Sequence, residues 1–403
     1  MTMDFASRVE RVEPSATLAI SNKAAELEAE GKDVVDLSVG EPDFDTPENI
    51  TDAAKDALDA GHTGYTSSNG IPELKAAIAE KLHDDGLTQY DADNVIVTPG
   101  GKQALYEIFQ AVIDGDDGSH PSSSGTSSRS GDEVALLDPA WVSYEAMAKL
   151  AGGSLTRVDT APHDFQLAGA LDDLADTVSD DTELLVVNSP GNPHGAVYSE
   201  DALKGVRDLA VEHDITVISD EIYQQVVYDG REPTSLGSLP GMGDRTVTLN
   251  GFSKAYAMTG WRLGYFAGPA ELVEQAGTVH GHSVSCATSF VQYAGVEALR
   301  NTDETVAEMT AAFERRRDML VAELADRGVE VPTPEGAFYL MLPVADDDRA
   351  WCEAAIGEAH VATVPGSAFG TPGYARVSYA NGTERLRTAL DRLGEHGLLG
   401  AGA

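Results

Sequence analysis

Four stretches of this 403-residue chain place reactive side chains directly after short apolar runs. In LNGFSKAYAMTGWRLGYFAG (249–268), Lys254 follows Ser253, and Arg262 stands in a Gly-flanked turn further on. Near low-dielectric walls a lysine loses part of its affinity for the proton, and the neutral amine can condense with an aldehyde to a Schiff base. Ser253 and Arg262 suit a phosphate, one as a hydroxyl donor and the other as a bidentate fork. In ITVISDEIYQQVVYDG (215–230), Asp220 and Glu221 close an apolar run and Tyr223 comes next. A carboxylate at a strand end can keep a pyridinium nitrogen protonated, which is what makes a pyridoxal ring an electron sink. VVNSPGNPHGAVY (186–198) is a Pro/Gly-punctuated loop with Asn188 and Asn192, and VTPGGKQALYEIF (97–109) runs strand, Gly-Gly, helix. The backbone N–H groups of Gly101 and Lys102 would open that helix and form an anion site. Taken singly, each stretch has a plainer reading: a solvated lysine, a helix N-cap at Asp220, a simple turn around Asn192. Gln103 stands where a Walker A loop needs Ser or Thr, and no GxGxxG follows an early strand, so adenine-nucleotide chemistry is unsupported.

Such residues need strands to deliver them. Short β-branched runs at 34–40, 94–100, 133–138, 183–190, 215–220, 246–251 and 263–268 alternate with helical patterns, among them 72–83, 101–113, 199–213 and 270–280. That alternation predicts βαβ units: an α/β fold with a mostly parallel sheet, helices on both faces, and ligands at the carboxyl ends of the strands. From about residue 290 the texture changes to a long helical stretch (289–327), then the strand-like GAFYLML, HVATVPG and ARVSYA, and a last helix at 383–394. This reads as a smaller α+β domain, and the amphipathic segment SATLAISNKAAELEAEG near the start is expected to pack with it. The expected division is 1–45 as an N-terminal arm and part of the small domain, 46–288 as the large domain, and 289–403 as the small C-terminal domain. Residues 114–132 are polar and rich in Ser and Gly, and read as a flexible inserted surface loop.

Composition narrows the partners. With 67 acidic and 27 basic side chains the formal net charge is −40, which excludes nucleic acid and anionic membranes as principal partners. Aspartate (37) outnumbers glutamate (30) and arginine (18) outnumbers lysine (9), a balance that suits a salt-rich cytosol, where the Debye length falls to roughly 3 Å at 1 M. An acidic disordered chain is excluded by the 42% of hydrophobic residues, which recur in periodic segments. Two isolated cysteines, Cys286 and Cys352, make neither a disulfide framework nor a cysteine-built zinc site, and no metal site is expected. With no leader-like opening and no run of 18 apolar residues, the expected location is the cytoplasm.

The joint order of these features is specific: N-P at 192–193, D-x-x-Y at 220–223, S-K at 253–254, Arg262, and R-V-S-Y-A at 376–380. It resembles the class I aminotransferases of the fold-type I pyridoxal-phosphate enzymes, over residues 8 to 394. Through EPSAT, VGEPDFDTP, VTPGGKQAL, WVSYEAM, NGFSKAYAMTGWR and GAFY it is most similar to the bacterial and archaeal aspartate aminotransferase subgroup. The resemblance implies pyridoxal 5′-phosphate as cofactor and a homodimer with shared active sites. It implies that Lys254 is the Schiff-base lysine and then the acid/base at the substrate Cα. Asp220 would pair with the pyridine nitrogen, Asn192 and Tyr223 would bond the ring O3′, and Trp141 would stack on the ring. Gly101, Lys102, Ser253 and Arg262 would hold the phosphate, with Tyr65 from the neighbouring subunit. Arg376, Asn192 and the backbone at Gly40 would clamp the substrate α-carboxylate.

The implied reaction is ping-pong transfer of an amino group from an L-amino acid to a 2-oxo acid. Aspartate or glutamate with 2-oxoglutarate or oxaloacetate is preferred, because Lys102 takes the distal carboxylate in this subgroup, helped by hydroxyls near Ser15 and Thr17. The stretch 278–289 lacks the arginine that another branch uses for that purpose. Alternatives are a broad-specificity, aromatic or prephenate aminotransferase and a pyridoxal-phosphate-dependent β-lyase. A ligand-sensing regulator is disfavoured by the absence of a basic segment before residue 30. Two departures stand beside Asn192: His194 replaces a usual threonine and Gly191 a common asparagine.

Overall fold

The computed structural model describes residues 5–115 and 132–399. Seven strands form one sheet in the order Val95–Thr98, Gly264–Ala267, Thr246–Gly251, Thr216–Asp220, Thr182–Asn188, Glu133–Asp138, Ser154–Asp159. Gly264–Ala267 runs antiparallel to both neighbours, and every other pairing is parallel. The mostly parallel α/β sheet expected from the alternation is therefore present.

Side-chain alternation explains why both faces are covered. Leu137, Leu185, Val187 and Val217 enter one apolar cluster with Leu203 and Val206 of the helix Glu200–Glu212. Their neighbours Leu136, Leu184, Val186 and Ile218 enter another with Leu105, Ile108 and Phe109 of the helix Gly101–Val112 and Val273 of Ala270–Ser283. A strand that buries both faces reads as a continuous apolar run, which is why these strands are visible in the sequence. Ser154–Asp159 was not expected. It is an edge strand with several solvent-facing residues, and its Ser, Thr, Arg and Asp mask the strand pattern.

Two expectations need correction. The run at 34–40 does not join the large sheet: Val35–Asp36 pairs in parallel with Val361–Ala362 in a separate two-stranded sheet. Its apolar sequence marked a buried strand, but pattern alone carries no partner. The helical stretch 289–327 is two helices, Ser289–Asn301 and Asp303–Asp326, broken at Thr302. There the Thr302 hydroxyl takes a hydrogen bond from Asn49 Nδ2 at 2.9 Å, tying the break to the helix Glu48–Asp59.

A second, antiparallel sheet orders Val364–Pro365, Tyr374–Ser378 and Tyr339–Pro343, with Arg376 opposite Met341. The helix Ala16–Ala29, capped by the Ser15 hydroxyl, packs Ala24 with Val34, Ile356 and Ala362. The expected loop at 114–132 lies, apart from its ends, outside the described residues. Among the described residues no helix is long and apolar enough to cross a membrane, and no cluster of His, Cys, Asp or Glu could hold a metal ion.

Candidate active site

Asn188, Asp220 and Gly251 end three adjacent strands of the large sheet, with Asn188 beside Asp220 in register. Above these ends lies a cavity of about 340 Å³. Of the site residues expected from the sequence, Gly40, Gly101, Lys102, Trp141, Asn192, Asp220, Tyr223, Ser253, Lys254, Arg262 and Arg376 all line it. Tyr65 does not; it is 92% exposed on the surface.

Asp220 forms the buried floor. The chain turns directly after it and starts no helix there, so the N-cap reading fails. Its carboxylate receives a hydrogen bond from the Tyr144 hydroxyl at 2.5 Å and one from the Ile222 N–H at 3.2 Å. Burial outweighs these bonds and pushes the carboxyl up to about 6. Tyr223 exchanges a 2.8 Å hydrogen bond with the Tyr339 hydroxyl. Tyr144 and Tyr339 were not singled out from sequence as site residues, although they sit inside the phrases WVSYEAM and GAFY; a tyrosine in a strand or helix looks like core until its hydroxyl finds a partner.

Lys254 Nζ donates to the Gly40 carbonyl and lies 5.7 Å from the centre of the Tyr223 ring and 5.8 Å from that of Phe338. Desolvation, helped by the charge of Arg376, brings its amine down to about 8. Nearby, Gly100 precedes the helix Gly101–Val112 at φ +85°, and a Cβ there would stand 2.5 Å from Arg262 Nη2. Glycine lets the guanidinium lie against the open end of the helix, whose unpaired N–H groups add positive potential. Arg262 Nη1 is steadied by the Thr259 carbonyl at 2.8 Å. Lys102 Nζ stands 4.8 Å from the centre of the Trp141 ring, and its affinity for the proton is lowered by burial and then by Arg262. Ser253 is buried alongside.

Arg376, 2% exposed, also lines the cavity. Its Nη1 donates to Asn192 Oδ1 at 3.0 Å and its Nη2 to the Ser38 carbonyl, and its guanidinium lies over Tyr339 and Phe369. Its Nε has no hydrogen-bond partner among the described residues. Asn192 is pinned through its own N–H to Asn188 Oδ1 at 2.8 Å, and Asn188 Nδ2 donates to the Asp220 carbonyl at 2.8 Å. The loop at 186–198 is thus built into the site and is more than a turn. Among the described residues, none of Lys102, Lys254, Arg262 and Arg376 forms an ion pair with a carboxylate. In a chain of net charge −40, four cations face one cavity and lack anionic partners among the described residues. Arg376 is buried and Lys254 half-buried, while Lys102 and Arg262 remain open to solvent. An uncompensated buried cation is costly, and with four cations lining it the cavity is suited to a ligand with at least two anionic groups.

Comparison with known proteins covers nearly the whole chain. The family model described as aminotransferase class I and II matches residues 32–393. An aspartate/prephenate aminotransferase of Thermus thermophilus is 42% identical over 394 residues, 96% of each chain, and an aspartate aminotransferase of Bacillus subtilis is 39% identical over 403, 97% of this chain and 98% of that one. The solved structure of the Thermus thermophilus aspartate aminotransferase with maleate superposes with a TM-score of 0.90 at 40% identity, covering 98% of this chain and 100% of that one. A mostly parallel sheet that delivers a lysine and an aspartate to a cavity, an arginine brought to the same cavity by the smaller antiparallel sheet, and a match along nearly the whole chain place this protein in the aminotransferase class I and II family.

Proposed function

We propose that the protein transfers the amino group of L-aspartate or L-glutamate to a 2-oxo acid, 2-oxoglutarate or oxaloacetate, with pyridoxal 5′-phosphate as cofactor. The observation that carries this reading is the buried Arg376, with its Nε unpartnered and no carboxylate counter-ion among the described residues, facing the same cavity as Lys254. The residues fit the cofactor. Asp220 is a buried carboxylate with only neutral donors bonded to it, suited to a cationic ring nitrogen. Gly101, Lys102, Ser253 and Arg262 offer a helix start, an ammonium, a hydroxyl and a guanidinium to a phosphate, with Tyr65 of the partner subunit completing the set. Asn192 and Tyr223 would meet the ring oxygen and Trp141 the ring face. When bound, the cofactor supplies an electron sink for the pair left at Cα as its proton departs.

The chain's own residues do the rest. Arg376 and Asn192, with the backbone at Gly40, hold the α-carboxylate, and this fixes Cα within reach of Lys254. Orientation of this kind supplies a large part of a rate enhancement. Lys254 Nζ, whose affinity for the proton is lowered by its surroundings, would carry a proton from Cα to the cofactor carbon C4′ in the donor half-reaction and from C4′ to Cα in the acceptor half-reaction. Tyr144 steadies the Asp220 carboxylate through its 2.5 Å bond. The donor leaves as a 2-oxo acid before the acceptor enters, a ping-pong order.

Lys102 lines the cavity together with Ser15 and Thr17, which supports reading of a distal carboxylate there. Several relatives are named aspartate/prephenate aminotransferases, which supports prephenate as a further acceptor. We read 46–288 as the large domain, and 1–45 with 289–403 as the small one. The exposed Phe5, Val9 and Leu18 support a homodimer, and the composition supports a salt-rich cytoplasm. The test is a panel of donors and acceptors in concentrated KCl. Aspartate with 2-oxoglutarate is expected to lead. Preference for phenylalanine over aspartate would favour the aromatic reading, and loss of a β-substituent without amino transfer would favour a lyase.

A further inference from the structure

Gly191 and His194 flank the residue that touches Arg376, and the chemistry above uses neither. They belong to a closed loop: Gly191 N–H donates to the Ala196 carbonyl at 3.0 Å, and Gly195 N–H donates to the Gly191 carbonyl at 2.8 Å. Inside it the His194 side chain folds back. A Cβ on Gly191 would stand 2.1 Å from His194 Cε1 and 2.3 Å from its Nε2, so the imidazole occupies the space that a side chain at 191 would need. Two aromatic rings lie nearly parallel to the imidazole, which stacks on Phe165 at 5.7 Å and 19° and on Tyr198 at 6.2 Å and 22°. Its Nδ1 accepts the Ala196 N–H at 3.0 Å, which puts the proton of the neutral ring on Nε2. Burial brings the imidazole down to about 3, so it stays neutral near neutral pH and does not serve as a proton carrier there.

The loop is also docked from outside. The Gly195 carbonyl accepts the N–H groups of Glu335 and Gly336 at 2.8 and 2.9 Å, just before the strand Tyr339–Pro343 that pairs with the strand of Arg376. Asn192 thus sits between two anchored points of one small ring of backbone. Its side chain takes part in the Arg376 contact at 3.0 Å, where a shift of a few tenths of an ångström changes a charge-assisted hydrogen bond.

We propose that His194 is a positioning residue: its imidazole stands in for a side chain at Gly191 and braces the loop, so that Asn192 Oδ1 is held against Arg376 and the carboxylate site is preformed. The inference rests on the reading of Arg376 as the carboxylate clamp. It makes residues 191 and 194 a matched pair, in which a large ring at one requires no side chain at the other.

The test is a double-mutant cycle on the holoenzyme with Gly191→Ala, His194→Thr and the double variant, and His194→Phe as the conservative control. Maleate, a dicarboxylate without an amino group, is the probe, and its dissociation constant is read from the cofactor spectrum. Two independent readouts accompany it: the melting temperature, and KM against kcat for aspartate and alanine. His194→Thr is expected to raise the maleate constant, and KM for both amino acids, by about tenfold, with kcat changed less than about threefold. His194→Phe keeps the stacked ring and is expected to restore most of the affinity. Gly191→Ala is expected to lower the melting temperature strongly when His194 is retained and only slightly when it is combined with His194→Thr. An unchanged maleate constant in His194→Thr, or equal losses from Gly191→Ala in both backgrounds, would overturn the inference alone. A wild-type protein that binds the cofactor but no maleate would overturn the carboxylate reading and the inference with it.

Discussion

Replacing Arg376 by Met should separate function from stability. The guanidinium is 2% exposed, makes two hydrogen bonds to neutral acceptors and has no carboxylate partner among the described residues. Methionine keeps the unbranched stem over Tyr339 and Phe369 while removing the charge. In the ligand-free protein two effects oppose each other. The Ser38 carbonyl and Asn192 Oδ1 lose a donor, at about 1–3 kcal/mol each. A buried charge without a counter-ion is also removed, and its desolvation penalty is several kcal/mol. The net change is expected to stay within about 2 kcal/mol, and at about 2.1 cal/mol/K per residue this moves the melting temperature by about 2–3 °C. Catalysis should not be spared. A clamped carboxylate loses two charge-assisted bonds at about 1.5–3 kcal/mol each, and at 1.36 kcal/mol per decade kcat/KM falls by about 10²–10⁴. The assays are thermal unfolding and aspartate turnover in concentrated KCl, with and without maleate. Maleate at 100 times its dissociation constant should stabilise the wild type by about 2.7 kcal/mol and leave the variant unmoved. A variant that no longer folds would make Arg376 a structural residue, and one retaining kcat/KM within tenfold would refute its role as the clamp.

Other outcomes rest on the same geometry. Lys102→Ala should weaken dicarboxylate donors far more than alanine or phenylalanine; equal losses for all donors would confine Lys102 to the phosphate. Uptake of pyridoxal phosphate by the cofactor-free protein needs the neutral form of Lys254, whose amine is brought down to about 8 by desolvation and the charge of Arg376. The uptake rate, measured by stopped-flow absorbance, should therefore rise with pH through a midpoint near 8 and level off above it. A midpoint beyond 10 would mean that the lysine is solvated.

Much of this site was legible because its residues come after strands buried on both faces, and those strands announce themselves as continuous apolar runs. Lys254, Asp220, Asn192 and the Gly100–Lys102 turn each stand just past such a run. Each was ambiguous singly and became specific through order and spacing. What escaped was whatever depends on a partner remote in sequence. Tyr144 becomes a site residue through Asp220, 76 positions away, and the Ser38 carbonyl matters through Arg376, 338 positions away. Val35–Asp36 found its partner in Val361–Ala362, a long-range choice that the local pattern does not encode. Gly191 and His194 are separate departures in the sequence, and only in space does the imidazole of 194 fill the room that a side chain at 191 would need.

Lys254 is held to carry the cofactor in the cavity that Arg376 lines, and on this the rest depends. Its most direct measurement is borohydride reduction of the protein after incubation with pyridoxal phosphate, with peptide mapping of the product. A yellow protein is expected whose colour bleaches on reduction, with one pyridoxyl group per chain, fixed on the peptide containing Lys254, and no label at that site in Lys254→Ala. A colourless protein, or label spread over surface lysines with Lys254 unmodified, would contradict it.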